Sequence, residues 1–200
     1  MVRQERAART REALLRAAAT AFDHAGYEAT TLARVSKAAG ISIGALTFHF
    51  PSKDALADAV QERGGSAVRA AADRAGACLE RPLRAAIALT VEIAGMLEGD
   101  ATVRAAARLA RERVDTTAGW SSLWLPTVDR LLARAADELR PGADRKTVLA
   151  LVTYLVTGAE AYARGRAESP GDQGDSAERQ LAGIWEVVLP GFAGGGRAAP

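Results

Sequence analysis

From Arg9 to Leu189 the apolar side chains recur at three- and four-residue spacing, interrupted by Gly and Pro, and no segment alternates convincingly as a strand does. A chain with that pattern buries its apolar stripes by packing helix on helix, so the expected fold class is all-α. The spacing predicts a first helix from Arg9 through Leu14, Leu15, Ala18 and Phe22, closed by Gly26. Thr30 and Thr31 offer an N-cap for a short helix through Leu32, Val35, Ala38 and Ala39, which Gly40 ends. Ser42 caps a second short helix from Ile43 to about His49. Pro51 stops it, and Ser52 caps a fourth helix expected to reach about Leu79.

Further helices are expected from Pro82 to Gly99, over Ala101 to Arg113, and from near Thr117 through Leu139 with a kink or late start at Pro126. Past Pro141-Gly142, the stripe Val148, Leu151, Val152, Leu155, Val156 and Ala159 marks another helix. Residues 168–175 read as a loop. Leu181, Ile184, Trp185, Val188 and Leu189 mark the last helix, and residues 194–200 read as a disordered tail.

Composition narrows the function classes. With 48% apolar and 25% charged residues, wholesale disorder is excluded, and 200 residues bury a core without a covalent staple. Cys78 is the only cysteine, so no disulfide forms within the chain. His24 and His49 are the only histidines, too few for a clustered Cys/His zinc set, and no metal or cofactor is expected. No apolar run reaches the ~18 residues of a membrane span. The charged stretch MVRQERAART lacks the apolar segment of a secretory signal, and the expected location is cytoplasmic.

Charge is unevenly spread. Residues 1–53 hold eight Lys/Arg against four Asp/Glu, a net +4, while the remainder holds eighteen against twenty, a net −2. A basic N-terminal quarter suits a polyanion partner, although a solvated charged arm would look the same by charge alone.

Residues 30–49 carry the most specific signal. Two short helices flank the turn A-A-G-I-S and follow a longer helix, which is a helix-turn-helix arrangement. Gly40 permits the sharp turn, Ala38 and Ala39 let the helices approach, and Leu32, Val35, Ile41 and Leu46 supply a small core. The second short helix can then project into a major groove. Gly44, Ala45 and Thr47 are small enough for close approach to bases, and a methyl such as that of Ala45 can touch a thymine methyl. The candidate DNA-binding residues are Ser42, Ile43, Gly44, Ala45, Thr47, Phe48, His49 and Lys53, with Thr30 and Thr31 toward the opposite backbone. The competing explanation is that these residues only cap helices in a small subdomain.

The run T-T-L-A-R-V-S-K-A-A-G-I-S-I-G-A-L-T-F-H-F-P-S-K-D-A-L (Thr30–Leu56), preceded by the F-D-x-x-G-Y-x-A-T-T pattern of Phe22–Thr31, resembles the TetR family of transcriptional regulators. G-A-L-x-F-H-F with a Trp-containing central helix is similar to the gamma-butyrolactone autoregulator receptors within it. Two positions depart: Thr47 stands where the family usually has Tyr, and Ile43 where the butyrolactone receptors commonly have Lys.

The resemblance implies a DNA-binding domain over 1–53 and a ligand-binding and dimerisation domain over 54–193. It implies a homodimeric repressor on an inverted-repeat operator, released by a lactone-like or antibiotic-like effector. Candidate ligand residues are Trp120, Trp124, Leu123, Met96, Thr90, Thr153 and Thr157, the two Trp being four apart and so expected on one helical face. Candidate dimer residues are Val148, Leu151, Val152, Leu155, Leu181, Ile184, Trp185 and Val188, for which burial within one chain is the alternative. An orphan or constitutive DNA-binding regulator remains a second reading. The pentapeptide Gly40-Ile41-Ser42-Ile43-Gly44 also matches the G-x-S-x-G of serine hydrolases by letters, but that elbow needs a preceding strand.

If Lys53 grips phosphate, Lys53→Ala weakens binding to every duplex and lowers the slope of log affinity against log salt by about one. Titrations across a salt series check this, and an unchanged slope rejects the role.

Overall fold

The computed structural model describes residues 2–113, 119–168 and 174–194. Among them the chain forms nine α-helices, two short 3₁₀ turns and a single isolated β-bridge, Leu139 with Ala193. The helices are α1 Val2–Ala29, α2 Leu32–Ala39, α3 Ile43–His49, α4 Lys53–Gly76, α5 Pro82–Gly99, α6 Ala101–Glu112, α7 Leu125–Arg134, α8 Arg145–Glu168 and α9 Ala177–Phe192. Packing divides the chain into two compact units: Met1–Ala67 with Asp100–Trp120, and Val68–Gly99 with Ser121–Pro200. That division follows packing and is discontinuous in sequence, whereas a boundary after Lys53 follows the motif.

In the first unit, α1 packs against α2, α3 and α6. Leu14, Ala18, Phe22, Val35, Leu46, Phe50, Leu56, Val60 and Leu109 close one core. α1 starts well before Arg9, because residues 4–9 are mostly strong helix formers whose exposed positions carry no apolar stripe. Near its end Gly26 has φ 77° and ψ −180°, a conformation nearly confined to glycine, and the chain breaks direction there. Thr31 then caps α2, its Oγ1 accepting from Arg34 N at 3.2 Å. Gly40 closes α2 at φ 66°. Ser42 caps α3, and Ser52 Oγ accepts from Ala55 N at 3.0 Å to open α4. Gly64 on α4 meets α6 so closely that a Cβ there would lie 2.5 Å from Thr102 O.

In the second unit α5 packs against α7, α8 and α9. The last helical turn of α4 ends at Gly76, not Leu79, and Arg134 donates to Gly76 O at 3.1 Å, satisfying a terminal carbonyl. The helix expected from near Thr117 through Leu139 is shorter. Thr117 lies outside the described residues, Trp120–Leu123 form a 3₁₀ turn, and α7 begins at Leu125 with Pro126 in its first turn. Pro126 lacks an N–H and is tolerated only there, which explains the late start. Leu139 leaves the helix and pairs with Ala193, Arg140 N donating to Phe192 O at 2.8 Å. Of the expected loop, Glu168 ends α8 and residues 169–173 lie outside the described residues. Of the expected tail, Gly194 donates to Glu138 O at 2.6 Å, and residues 195–200 lie outside.

Gly26→Ala forces a Cβ into that backbone conformation and within 2.7 Å of side-chain atoms of Arg108 and Glu112. The expected loss is about 1–3 kcal/mol of unfolding free energy. Urea denaturation checks it, and a variant as stable as the parent contradicts the strain.

Candidate nucleic-acid interface

α3 is held by one buried residue, Leu46, and offers most of the rest to solvent. Ser42, Ile43, Gly44, Thr47 and Phe48 are exposed, Phe48 at 83%, while Ala45 and His49 are half-buried. Of the two threonines expected to grip backbone, Thr30 is 1% exposed. Its hydroxyl lies 2.7 Å from Gly26 O and 3.1 Å from Ala21 O, so it locks the turn and is corrected from contact residue to scaffold. Thr31 is exposed at the start of α2. Ser42 Oγ accepts from Ala45 N at 3.3 Å, and a helix, not a strand, precedes it, so the hydrolase elbow is absent.

Cations stand on the elements before and after α3. Arg34 and Lys37 are exposed on α2. Lys53 Nζ donates to Tyr27 O at 3.1 Å and sits 4.1 Å from the Tyr27 ring centre, which leaves donors for a phosphate. The Tyr27 hydroxyl donates to Asp54 Oδ1 at 2.5 Å. That bond, with burial and the Asp54 charge behind it, pushes the phenol up to about 12. The same bond holds Asp54 below the usual carboxylate range, helped by the Arg113 charge.

A second network ties α6 to the end of α1, and nothing in the motif predicts it. Arg104 Nε pairs with the buried Asp23 at 2.9 Å, and Arg108 donates to Asp23 O at 2.6 Å. Glu112 accepts from Tyr27 N at 2.6 Å and pairs with Arg108 at 2.6 Å. Burial alone would raise Glu112, but those bonds outweigh it and hold its carboxyl low. Arg113 reaches α4, pairing with Asp58 at 2.6 Å and Asp54 at 3.4 Å and bonding Gln61. The sequence signal was the spacing of Arg104, Arg108 and Glu112, one face of a helix. Removing Arg104 would strand a buried carboxylate, an effect of about 3–5 kcal/mol.

The expected ligand residues are dispersed. Trp120 lies in the 3₁₀ turn and Trp124 just before α7, so the two do not share one α-helical face. Both are buried, and both indole N–H groups lack a hydrogen-bond partner among the described residues. Thr90 is buried, its hydroxyl donating to Ile87 O and accepting from Trp185 Nε1 at 2.8 Å. Thr153 and Thr157 bond carbonyls of their own helix, and Thr157 is exposed. Leu123 and Met96 are half-buried. A cavity of about 920 Å³ in the second unit is lined by Leu132, Ala136, Asp137, Leu139 and Arg140 among others, and by none of the expected ligand residues.

The interface candidates divide by burial. Val148, Val152, Leu181 and Trp185 are buried within one chain and are corrected to core, because the widest apolar stripes of α8 and α9 face their own unit. Leu151, Leu155 and Val188 are half-buried and Ile184 is exposed. The outward face holds Tyr154, 75% exposed, and Val187, 81% exposed, which the stripe pattern does not mark.

Residues 14–60 match the family model of bacterial regulatory proteins, tetR family. The A-factor receptor protein of Streptomyces griseus is 29% identical over 96% of this chain and 67% of its own length. The TetR family protein CprB from Streptomyces coelicolor, solved in complex with its biological operator sequence, superposes with TM-score 0.78 at 29% identity, covering 96% of this chain and 92% of that one. A gamma-butyrolactone receptor (ArpA-like protein) superposes with TM-score 0.77 at 26% identity over 96% and 92% of the two chains.

The Tyr27–Asp54 bond has a sign that titration reads. Asp54's contribution is present above its unfolded pKa and lost as pH falls through its lowered folded value, while Tyr27's is present below 10.0 and lost as pH rises through about 12. Tyr27→Phe is expected to move the Asp54 carboxyl midpoint upward in an NMR titration; an unmoved midpoint rejects the bond.

Proposed function

We propose that the chain is a member of the tetR family of bacterial regulatory proteins, a ligand-released transcriptional repressor that binds an inverted-repeat operator as a homodimer, a reading supported by the family match over residues 14–60 and by the likeness to the A-factor receptor and CprB. The observation that carries the reading is α3: seven residues capped at both ends, anchored by Leu46 and otherwise presented outward among exposed cations. Ser42, Ile43, Gly44, Ala45, Thr47 and Phe48 face the bases. Thr31, His49 and Lys53 face the backbone. A duplex partner puts the chain in the cytoplasm.

The dimer face is the outward side of α8 and α9. Thr147, Ala150, Tyr154, Thr157, Gly158 and Ala161 are exposed on α8, and Ile184 and Val187 on α9. None is charged. Large apolar side chains set in such a surface mark a protein interface. A second copy uses the same face by twofold symmetry, which carries two α3 helices to major grooves roughly 34–36 Å apart or a multiple of it. The effector is a small carbonyl-bearing molecule, lactone-like or antibiotic-like, taken up at Trp120 or Trp124. A buried indole N–H without a partner is costly, and an accepting oxygen relieves it. The effector acts through its preference for the DNA-incompetent state.

Binding-site selection with the purified full chain tests this. The expected product is an inverted repeat, released by a lactone or an antibiotic. Tyr154→Asp or Val187→Asp should yield a monomer in sedimentation and lose at least tenfold in operator affinity. Trp120→Phe or Trp124→Phe should keep the operator and lose release. A selected site without inverted symmetry sinks the dimer, and binding indifferent to every small molecule favours a constitutive regulator.

A further inference from the structure

α3 is Ile43-Gly44-Ala45-Leu46-Thr47-Phe48-His49, with no Lys, Arg, Asn, Gln, Asp or Glu. The commonest base-specific contacts in a major groove, a bidentate Arg or Lys on guanine and a bidentate Asn or Gln on adenine, are therefore missing from the helix. Its remaining hydroxyls are each partly engaged: Thr47 Oγ1 donates to Gly44 O at 3.1 Å and keeps only acceptor capacity, and Ser42 Oγ accepts from Ala45 N at 3.3 Å and keeps its O–H. The His49 ring is half-buried, edge-on to Phe48 with centres 5.3 Å apart.

What α3 exposes is hydrocarbon. Residues 43, 44, 47 and 48 share one helical face. On it stand Phe48 at 83% and Ile43 at 48% exposure, with the Thr47 methyl beside them. Gly44 lies among them, and a Cβ there would meet nothing within 4 Å. Glycine weakens a helix relative to alanine, and no neighbour in the fold requires it here. The missing side chain serves whatever approaches from outside.

In the major groove the apolar group that a base offers is the thymine C5 methyl. Resting on the reading of this chain as an operator binder, we infer that α3 recognises thymine by that methyl. It packs against Ile43 and Phe48 over the opening left by Gly44, so these two residues set sequence preference. The half-site beneath α3 is accordingly rich in thymine.

The test uses the full chain and its selected duplex, with each thymine replaced in turn by deoxyuridine, which lacks only the methyl. Burying a methyl is worth on the order of fourfold in affinity. At one or more thymines per half-site the uracil duplex should bind about fourfold more weakly. That loss should vanish in Ile43→Ala or Phe48→Ala, whose exposed positions leave the core intact. A site indifferent to uracil at every position overturns the inference while DNA binding stands. Uracil losses of equal size in both variants overturn the assignment to these residues. A protein that selects no duplex overturns the inference and the operator reading together.

Discussion

The bend at Gly26 decides where α2 and α3 stand. There the chain turns at a φ that L side chains rarely adopt, and the buried Thr30 hydroxyl closes on two carbonyls of the helix just left. Without that bend α1 would continue straight, and Val35 and Leu46 could not fold back onto Leu14, Ala18 and Phe22. Hydrophobic burial supplies the driving force, but it is not directional. Direction comes from polar atoms. Glu112 accepts from Tyr27 N and Arg108 donates to Asp23 O, so α6 clamps the bend from outside.

The same clamp explains a division of labour in charge. Arg104, Arg108 and Arg113 are all spent on carboxylates and carbonyls of the first unit. Arg34 and Lys37 on α2 remain exposed, and Lys53 is only partly engaged. The exposed cations thus stand on the flanks of α3, which itself carries no Lys, Arg, Asp or Glu. On the proposed reading, strength and selectivity of binding come from different side chains.

Much of this was legible in residues 22–56, because Gly26, Gly40, Ser42, Pro51 and Ser52 are punctuation whose meaning is local. The body was harder to read. An apolar stripe shows that a helix buries one face, not which neighbour covers it. Val152 and Trp185 therefore looked like interface and proved to be core, while Tyr154 and Val187 stood off the stripe. Trp120 and Trp124 looked like one helical face because their spacing is four, and Pro126 moved the helix start beyond both. The α6 network was only half legible: Arg104, Arg108 and Glu112 share a helical spacing, but nothing periodic points to their partners Asp23 and Tyr27 more than eighty residues away.

If α3 enters a duplex groove, the exposed Phe48 meets bases there. Replacing Phe48 with the photo-crosslinking amino acid p-benzoylphenylalanine and irradiating the protein on its selected operator reads that contact directly. Crosslinks to bases in the major groove of each half-site, competed away by unlabelled operator, are expected. Crosslinks confined to protein, or none to DNA while the complex persists, would contradict groove entry by α3.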